Sequence, residues 1–148
     1  MVGQHRRRTL RGQFTEGETK RLIIDDGRLN HGYKVVNFVV SGDPASSGND
    51  AWATLSLDYD AELIWNWGDN RQIGWSSTNI SSTGGAQAPF SLIDPDHVII
   101  MDLYIQGVVS GAGGSSEINY LIELETVELT NDESILTLIK ERSQDDSR

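Results

Sequence analysis

The stretch "EINYLIELETVEL", residues 117–129, decides the fold. Its side chains alternate between two sides of an extended chain. Ile118, Tyr120, Ile122 and Leu124 fall on one side, and Asn119, Leu121, Glu123 and Glu125 fall on the other. A period of two with one mostly apolar side is typical of an antiparallel strand that packs one face on a core. The segment therefore predicts a half-buried β-strand.

Other segments follow the same period. "AWATLSLDY" (51–59) and "HVIIMDLYIQG" (97–107) alternate, while "KVVNFVV" (34–40) is apolar on both sides and predicts a central strand buried on both faces. Weaker strand patterns are "RTLRGQF" (8–14), "TKRLIID" (19–25) and "RQIGWSS" (71–77). The predicted core includes Val36, Phe38, Leu55, Leu57, Met101, Leu103, Ile122 and Leu124.

Turn-forming residues separate these strands. They occur at Asp26-Gly27 and in residues 41–50, 81–89, 94–96 and 110–116. A chain of 148 residues forms one ordinary domain. We therefore predict a mostly β protein, an antiparallel β-sandwich or jelly roll. Residues 1–18 would form a basic N-terminal arm and first strand, 19–129 the sandwich, and 130–148 a C-terminal helix and tail.

The period changes in "LTNDESILTLIKERSQDD", residues 129–146. Thr130 and Glu133 have the spacing of a capping box, which predicts a helix over about residues 131–143. Ile135, Leu136, Leu138 and Ile139 form its apolar stripe. We expect this stripe to pack on the sandwich edge or to lie on another subunit.

Charge is unevenly distributed along the chain. Residues 1–28 hold seven Lys/Arg against four Asp/Glu, a net of +3, whereas the remaining 120 residues have a net of −13. The acidic body disfavours nucleic acid. The cluster Arg6, Arg7, Arg8 and Arg11 leaves three alternatives: a solvated tail, a contact with nucleic acid, or a contact with the acidic surface of a neighbouring chain.

The sequence lacks the patterns of common active sites. There are no cysteines, which excludes disulfides and thiol chemistry. His5, His31 and His97 have no metal-binding spacing, and the glycine runs do not match a phosphate-binding loop. The pairs Asp58/Asp60 and Asp94/Asp96 supply too few oxygen ligands for a calcium site by themselves. We therefore predict a protein that is not an enzyme and has no metal or cofactor.

No apolar run is long enough to span a bilayer. The N-terminal stretch "MVGQHRRRTLRGQF" also lacks the apolar segment of a secretory signal. We therefore expect no membrane association and no secretion by that route.

Three of the four tryptophans lie in "WNWGDNRQIGW", residues 65–75. Trp65, Trp67 and Trp75 fit a hairpin that turns at residues 68–70 and caps the core. A subunit interface is the next interpretation and a platform on which sugar rings stack is the third, because a tryptophan buries a large area at little entropic cost. Core capping is the simplest of the three interpretations.

Several stretches resemble a family of small virion proteins of marine tailed bacteriophages. They are "RRTLRGQF", "RLIIDDGRLNHGYKVVNFVV", "WNWGDNRQIGWSS", "IDPDHVIIMDLYIQG" and "LTNDESILTLIKERSQD", which together span most of the chain. The resemblance implies a structural component of the particle, such as a capsid decoration protein or a small head or tail protein. Its location would be the virion, assembled in the host cytoplasm, and its partners would be other virion proteins and copies of itself. The alternative is a carbohydrate-binding β-sandwich module that uses exposed tryptophans.

Overall fold

A computed structural model describes residues 6–25, 27, 30–43, 49–80, 86–111 and 116–146. Within these residues the chain forms eight strands and one helix. They are β1 (Arg7–Thr15), β2 (Lys20–Ile23), β3 (His31–Gly42), β4 (Asn49–Ser56), β5 (Gln72–Ile80), β6 (Ala86–Ile93), β7 (Asp102–Gly111), β8 (Glu117–Glu128) and α1 (Asn131–Asp146).

The strands form two antiparallel sheets. One sheet has three strands in the order β1-β8-β3, and the other has five in the order β2-β7-β4-β5-β6. The turn from β1 to β2 carries the chain from one sheet to the other, and Gly17 supplies its positive φ of 84°. The predicted fold class, a mostly β antiparallel sandwich with one C-terminal helix, is confirmed.

The core lies between the two sheets and follows the alternation of β8. Ile118, Ile122 and Leu124 are fully buried, and the five-stranded sheet meets them with Leu55 and Leu103. Each such side chain stabilises the fold by about 1.5–3 kcal/mol through removal of its apolar surface from water. Phe38 and Leu57 are also buried, as predicted. Most of the predicted core is therefore confirmed.

Two predictions about β3 are wrong. The pairing with β8 shifts register between Val35 and Asn37, so β3 has a bulge at Val36. The extra residue reverses the alternation. Val35 and Phe38 both face the core, whereas Val36 is 36% exposed. Strand β3 is also an edge strand of its sheet, and it is not a central strand buried on both faces.

The free edge of β3 lies against β5 and β6. The backbone N–H of Val40 donates to the Ser76 hydroxyl at 3.2 Å, and the Ser91 hydroxyl donates to the Phe38 carbonyl at 2.7 Å. Two serines therefore satisfy backbone groups that a neighbouring strand would otherwise satisfy. These bonds join the two sheets along this side of the sandwich.

The remaining differences concern strand boundaries. Residues 86–93 form strand β6 although Pro89 and the neighbouring turn residues predict a loop there. The strand predicted at 97–107 begins at Asp102. Before it, Ile99 forms an isolated bridge to Tyr33, and the Met101 carbonyl accepts the backbone N–H groups of Ile24 and Asp25. Met101 is only half-buried, unlike the other predicted core residue of this segment, Leu103.

Candidate functional site

A long loop, residues 57–71, covers the outer face of the five-stranded sheet. The strand register places Trp52 and Thr54 of β4, Gln72 and Trp75 of β5, and Gln106 of β7 on this face. We call residues 57–71 the outer loop. Trp65 and Trp67 lie in it, not on a strand, so the predicted hairpin that turns at residues 68–70 is wrong, although Trp75 does lie on strand β5.

The outer loop is held by the side chain of Gln72, which is 2% exposed. Its Oε1 accepts hydrogen bonds from the Asn66 backbone N–H at 2.8 Å and from Trp75 Nε1 at 2.9 Å. Its Nε2 donates to the carbonyls of Glu62 and Ile64, both at 2.9 Å. One buried amide thus uses all four of its hydrogen-bonding positions and fixes the loop at three backbone positions.

Three further side chains tie the same loop to the sheet. Thr54 Oγ1 donates to the Leu63 carbonyl at 2.9 Å, and Gln106 Nε2 donates to the Ala61 carbonyl at 2.9 Å. In the opposite direction, Trp65 Nε1 donates to the Ala53 carbonyl at 3.2 Å. The outer loop is therefore an integral layer of the domain.

Arg71 closes the loop with two carboxylates. Its guanidinium contacts Asp69 at 2.8 Å and Asp58 at 3.3 Å, and all three side chains are largely buried. Hydrogen bonding from Arg71 lowers the pKa of Asp69, although burial opposes this shift. The same bonds raise the pKa of Arg71 above its usual value. All three charged groups are paired within the outer loop and have a structural role.

The three tryptophans of the loop region have different environments. Trp75 is 6% exposed, beneath the outer loop. Trp65 is half-buried, stacked on Phe90 at 5.6 Å between ring centroids and edge-on to Trp52 at 6.3 Å. Trp67 packs edge-on to Trp75 but remains 67% exposed. Of these three, only Trp67 presents most of its surface to solvent.

Other exposed apolar side chains lie on the same outer face of the five-stranded sheet as Trp67. They are Ile64 in the outer loop, together with Phe90 and Leu92 of the edge strand β6. We call these four residues the outer patch. Arg71, the basic residue of the outer loop, is already paired with Asp58 and Asp69, so it offers the outer patch no unpaired charge.

The predicted basic arm is largely part of the sandwich. Arg7, Arg8 and Arg11 belong to β1, which pairs with β8 along nine residues. Arg7 contacts Glu123 of the same chain at 3.4 Å. Arg8 donates to the Ile24 carbonyl at 3.0 Å and lies 5.7 Å from the Tyr33 ring centre. Arg6 and Arg11 are exposed to solvent.

A groove of about 390 Å³ lies between the edge strands β1 and β2. Its lining consists of Thr9, Leu10, Arg11, Arg21, Leu22, Ile23 and Tyr120. Lys20 Nζ donates to the Gln13 carbonyl at 3.1 Å and lies 5.3 Å from the Tyr120 ring centre. Arg21 contacts Asp102 at 3.0 Å, and this hydrogen bond raises its pKa. We call this feature the edge groove. Its lining is mixed, with the apolar side chains of Leu10, Leu22, Ile23 and Tyr120 beside the basic Arg11 and Arg21, and the sequence does not reveal it.

The C-terminal helix is stabilised within itself. The Thr130 N–H donates to Glu133 Oε1 and the Glu133 N–H donates to Thr130 Oγ1, both at 3.2 Å, which confirms the predicted capping box. The predicted stripe stays uncovered: Ile135 is 55% exposed, Leu136 58% and Ile139 55%, while Leu138 is half-buried.

The acidic pairs of the sequence form turns. Asp58 Oδ1 accepts the Asp60 N–H and Asp94 Oδ1 accepts the Asp96 N–H, each at 3.0 Å. His97 lies 3.2 Å from Asp94. Among the described residues, no group of three or more His, Cys, Asp or Glu side chains is arranged to hold a metal ion. Across the same residues, no helix is long and apolar enough to cross a membrane.

Comparison of the sequence with protein-family models and with curated proteins finds no match.

Proposed function

We propose that this chain is a structural component of a phage particle. It would act as a capsid decoration or cement protein, or as a minor head or tail component, that binds neighbouring virion subunits and catalyses no reaction. The resemblance of its sequence to small virion proteins supports a location in the phage particle. The observation that carries the binding role is the exposed stripe Ile135, Leu136 and Ile139 on α1.

An exposed stripe of this kind favours assembly for a physical reason. Large apolar side chains gather on one side of a helix when that side is covered, because their exposure to water costs free energy. In this chain the helix begins immediately after the sandwich and completes its own N-terminal cap. A neighbouring subunit would supply the missing cover, and many copies on a lattice would add their modest contacts.

The test is incorporation into virions. Mass spectrometry of purified particles of the encoding phage should detect the chain in stoichiometric amounts. In co-sedimentation, Leu136→Asp should lose binding to particles at low and at high salt, since apolar burial is not screened. Ile64→Asp makes the same kind of change on the outer patch and should bind like the wild type. Absence of the chain from particles would refute the proposal.

The basic residues provide a second arm of that test. Arg11 is exposed on β1, and exposed ion pairs contribute only about 0.2–1 kcal/mol each. Arg11→Glu should therefore weaken particle binding at low salt and have less effect at high salt. Substitution is the appropriate change because deletion of residues 1–11 would remove half of β1. If Arg11→Glu and the wild type bind particles equally at every salt concentration, the basic residues of β1 are not part of the particle-binding interface.

Carbohydrate binding is the second candidate, and the exposure of Trp67 favours it. This ring has polar neighbours at Asn66 and Asn70, which suit sugar hydroxyls. Titration of tryptophan fluorescence with glycans distinguishes the two functions. The structural role expects no saturable change. A saturable shift that disappears in Trp67→Ala would establish the binding module instead.

A further inference from the structure

We propose that the edge groove of one copy receives the acidic, apolar face of helix α1 from a second copy of this chain. The inference rests on the proposed assembly role and names the surface that covers the helix. It follows from three observations: a groove lined by both apolar and basic side chains, a helix face with the matching chemistry, and a fixed helix start that keeps the stripe exposed.

The edge groove has the lining that an aliphatic stripe requires. Leu10, Leu22 and Tyr120 form apolar parts of it, and Ile23 at its side is 61% exposed. It lies where the two sheets part, between strands that each have only one neighbour. Its 390 Å³ is too small for a whole helix but suits a few side chains that project from one. Helix-in-groove binding is of this kind, with anchors spaced three and four residues apart.

Cations surround the groove. Arg11 and Arg21 line it, the Lys20 ammonium lies over the ring of Tyr120, and the Arg8 guanidinium bonds Ile24 just beyond Ile23. Arg21 is paired with Asp102 and is partly neutralised. Arg11 is exposed on the rim. This basic region belongs to a chain whose net charge is −10, so the groove is where an acidic segment would be attracted.

The helix has the complementary face. Asp132 lies three residues before Ile135 and four before Leu136, so it shares their face, and Ile139 continues that face by one turn. The face therefore presents one carboxylate followed by three aliphatic side chains along about 10 Å of helix. Asp132 and all three aliphatic residues are exposed. The carboxylate would meet Arg11 while the aliphatic side chains enter the groove.

A second copy is the occupant because the helix start is fixed on its own domain. The Leu129 N–H donates to the Asn30 carbonyl at 2.7 Å, and Thr130 then caps the helix. With its start held there, α1 leaves the stripe exposed. The outer patch is the other large apolar surface described above, but Arg71 of the outer loop is already paired with Asp58 and Asp69 and offers Asp132 no free cation. Charge therefore selects the edge groove over the outer patch.

Each copy has one helix and one groove, so two copies can exchange helices reciprocally and bury both stripes. Analytical ultracentrifugation of the full chain should show self-association that weakens as salt is raised. Leu136→Asp and Arg11→Glu should each raise the dissociation constant by about tenfold or more. Lys34→Glu makes the same charge change on β3, away from the groove, and should associate like the wild type. Circular dichroism checks that every variant folds.

A mixing experiment tests the pairing itself. Leu136→Asp keeps an intact groove and Arg11→Glu keeps an intact helix, so a mixture of the two should form a heterodimer through one of the two contacts. The double variant should remain monomeric. A wild type that is monomeric up to millimolar concentration, an Arg11→Glu variant that associates like the wild type, or a mixture that stays monomeric would each overturn the inference.

The outcomes also separate this inference from the proposed function. A chain that is monomeric in solution but sediments with particles would overturn the helix exchange and leave the particle role intact. A chain that self-associates as described but is absent from particles would refute the particle role, and the helix–groove contact would stand.

Discussion

The outer loop and helix α1 both lie outside the two sheets, and both carry large apolar side chains. They differ in where their polar groups are satisfied. The loop bonds to the sheet through Gln72, Thr54 and Gln106. The helix satisfies its own first turn through Thr130 and Glu133. The loop is therefore part of the domain's internal structure, whereas the first turn of the helix is capped by its own residues and most of its apolar stripe remains exposed.

Because of this difference, the apolar residues of the two regions contribute differently to the stability of the folded chain. Trp65 and Trp75 pack against their own sheet, so their large area contributes to folding. Ile135 and Leu136 contribute little to the folded chain because more than half of each remains in water. Mutations in the loop should therefore change the free energy of unfolding, and mutations in the helix should change association instead.

The largest effect is expected for Gln72→Leu. The substitution removes the amide that serves Asn66, Trp75 and two loop carbonyls, and it leaves those groups unsatisfied beneath the loop. We expect a loss of about 3 kcal/mol or more in the free energy of unfolding, measured by urea denaturation. Gln106→Leu removes a single bond in a half-buried position and should cost about 1 kcal/mol. Equal costs for the two variants would contradict the special role of Gln72.

The next largest loss of stability is expected for Trp65→Ala, and it should exceed the loss for Trp67→Ala, although the two residues are only two positions apart. Trp65→Ala removes a ring that stacks on Phe90 and donates to Ala53, and it should cost about 2 kcal/mol because the ring is only half-buried. Trp67→Ala removes a ring that is 67% exposed and should cost less than about 1 kcal/mol. Thermal and urea unfolding of both variants measure the difference. A Trp67→Ala variant that is less stable than the Trp65→Ala variant would show that Trp67, and not Trp65, contributes more to the packing of the domain.

A smaller effect depends on pH. Arg71 lowers the pKa of Asp69 in the folded chain, so this carboxylate contributes stability above its unfolded pKa of about 4 and loses it as pH falls through the folded value. Asp69→Asn should cost about 1 kcal/mol at neutral pH. The gap between variant and wild type should narrow below about pH 4. Denaturation curves from neutral to acid pH measure this gap. A gap that stays constant would show that the negative charge of Asp69 does not contribute to the free energy of unfolding.

The sequence predicts the features that depend on local pattern. The alternation of residues 117–129 predicts β8, because one face of a strand must meet the core whatever lies opposite. The capping box of Thr130 and Glu133 predicts the start of the helix, since both partners lie within one turn. The bulge at Val36 escapes prediction because it depends on the register with β8, about ninety residues further along the chain. A uniformly apolar run cannot show on which residue the alternation reverses.

The candidate surfaces are harder to predict for the same reason. Arg11, Arg21 and Tyr120 line one groove only because β1 and β2 are the edges of different sheets. Gln72 looks like an ordinary strand residue until the outer loop lies over it. A polar residue on an outer strand face next to a long loop is the one hint that the sequence offers. The helix stripe is visible beforehand because it depends only on helical spacing.

The smallest change in the free energy of unfolding is expected when helix α1 is removed. Ending the chain after Thr130 removes Ile135, Leu136 and Ile139, which are mostly exposed, and Leu138, which is half-buried, while the bonds of Ser76 and Ser91 that join the two sheets remain. The free energy of unfolding should therefore stay within about 0.5 kcal/mol of the wild type, as for changes at exposed positions away from buried contacts. Urea denaturation should be followed by tryptophan fluorescence, because every tryptophan lies outside the helix. The measurement must be made at a concentration where the wild type is monomeric, since association would stabilise only the chain that keeps its helix.

A truncated chain that is less stable by about 2 kcal/mol would show that the helix covers its own sandwich, and the assembly role would lose the observation that carries it. A chain of unchanged stability that no longer associates would show that the stripe acts between molecules.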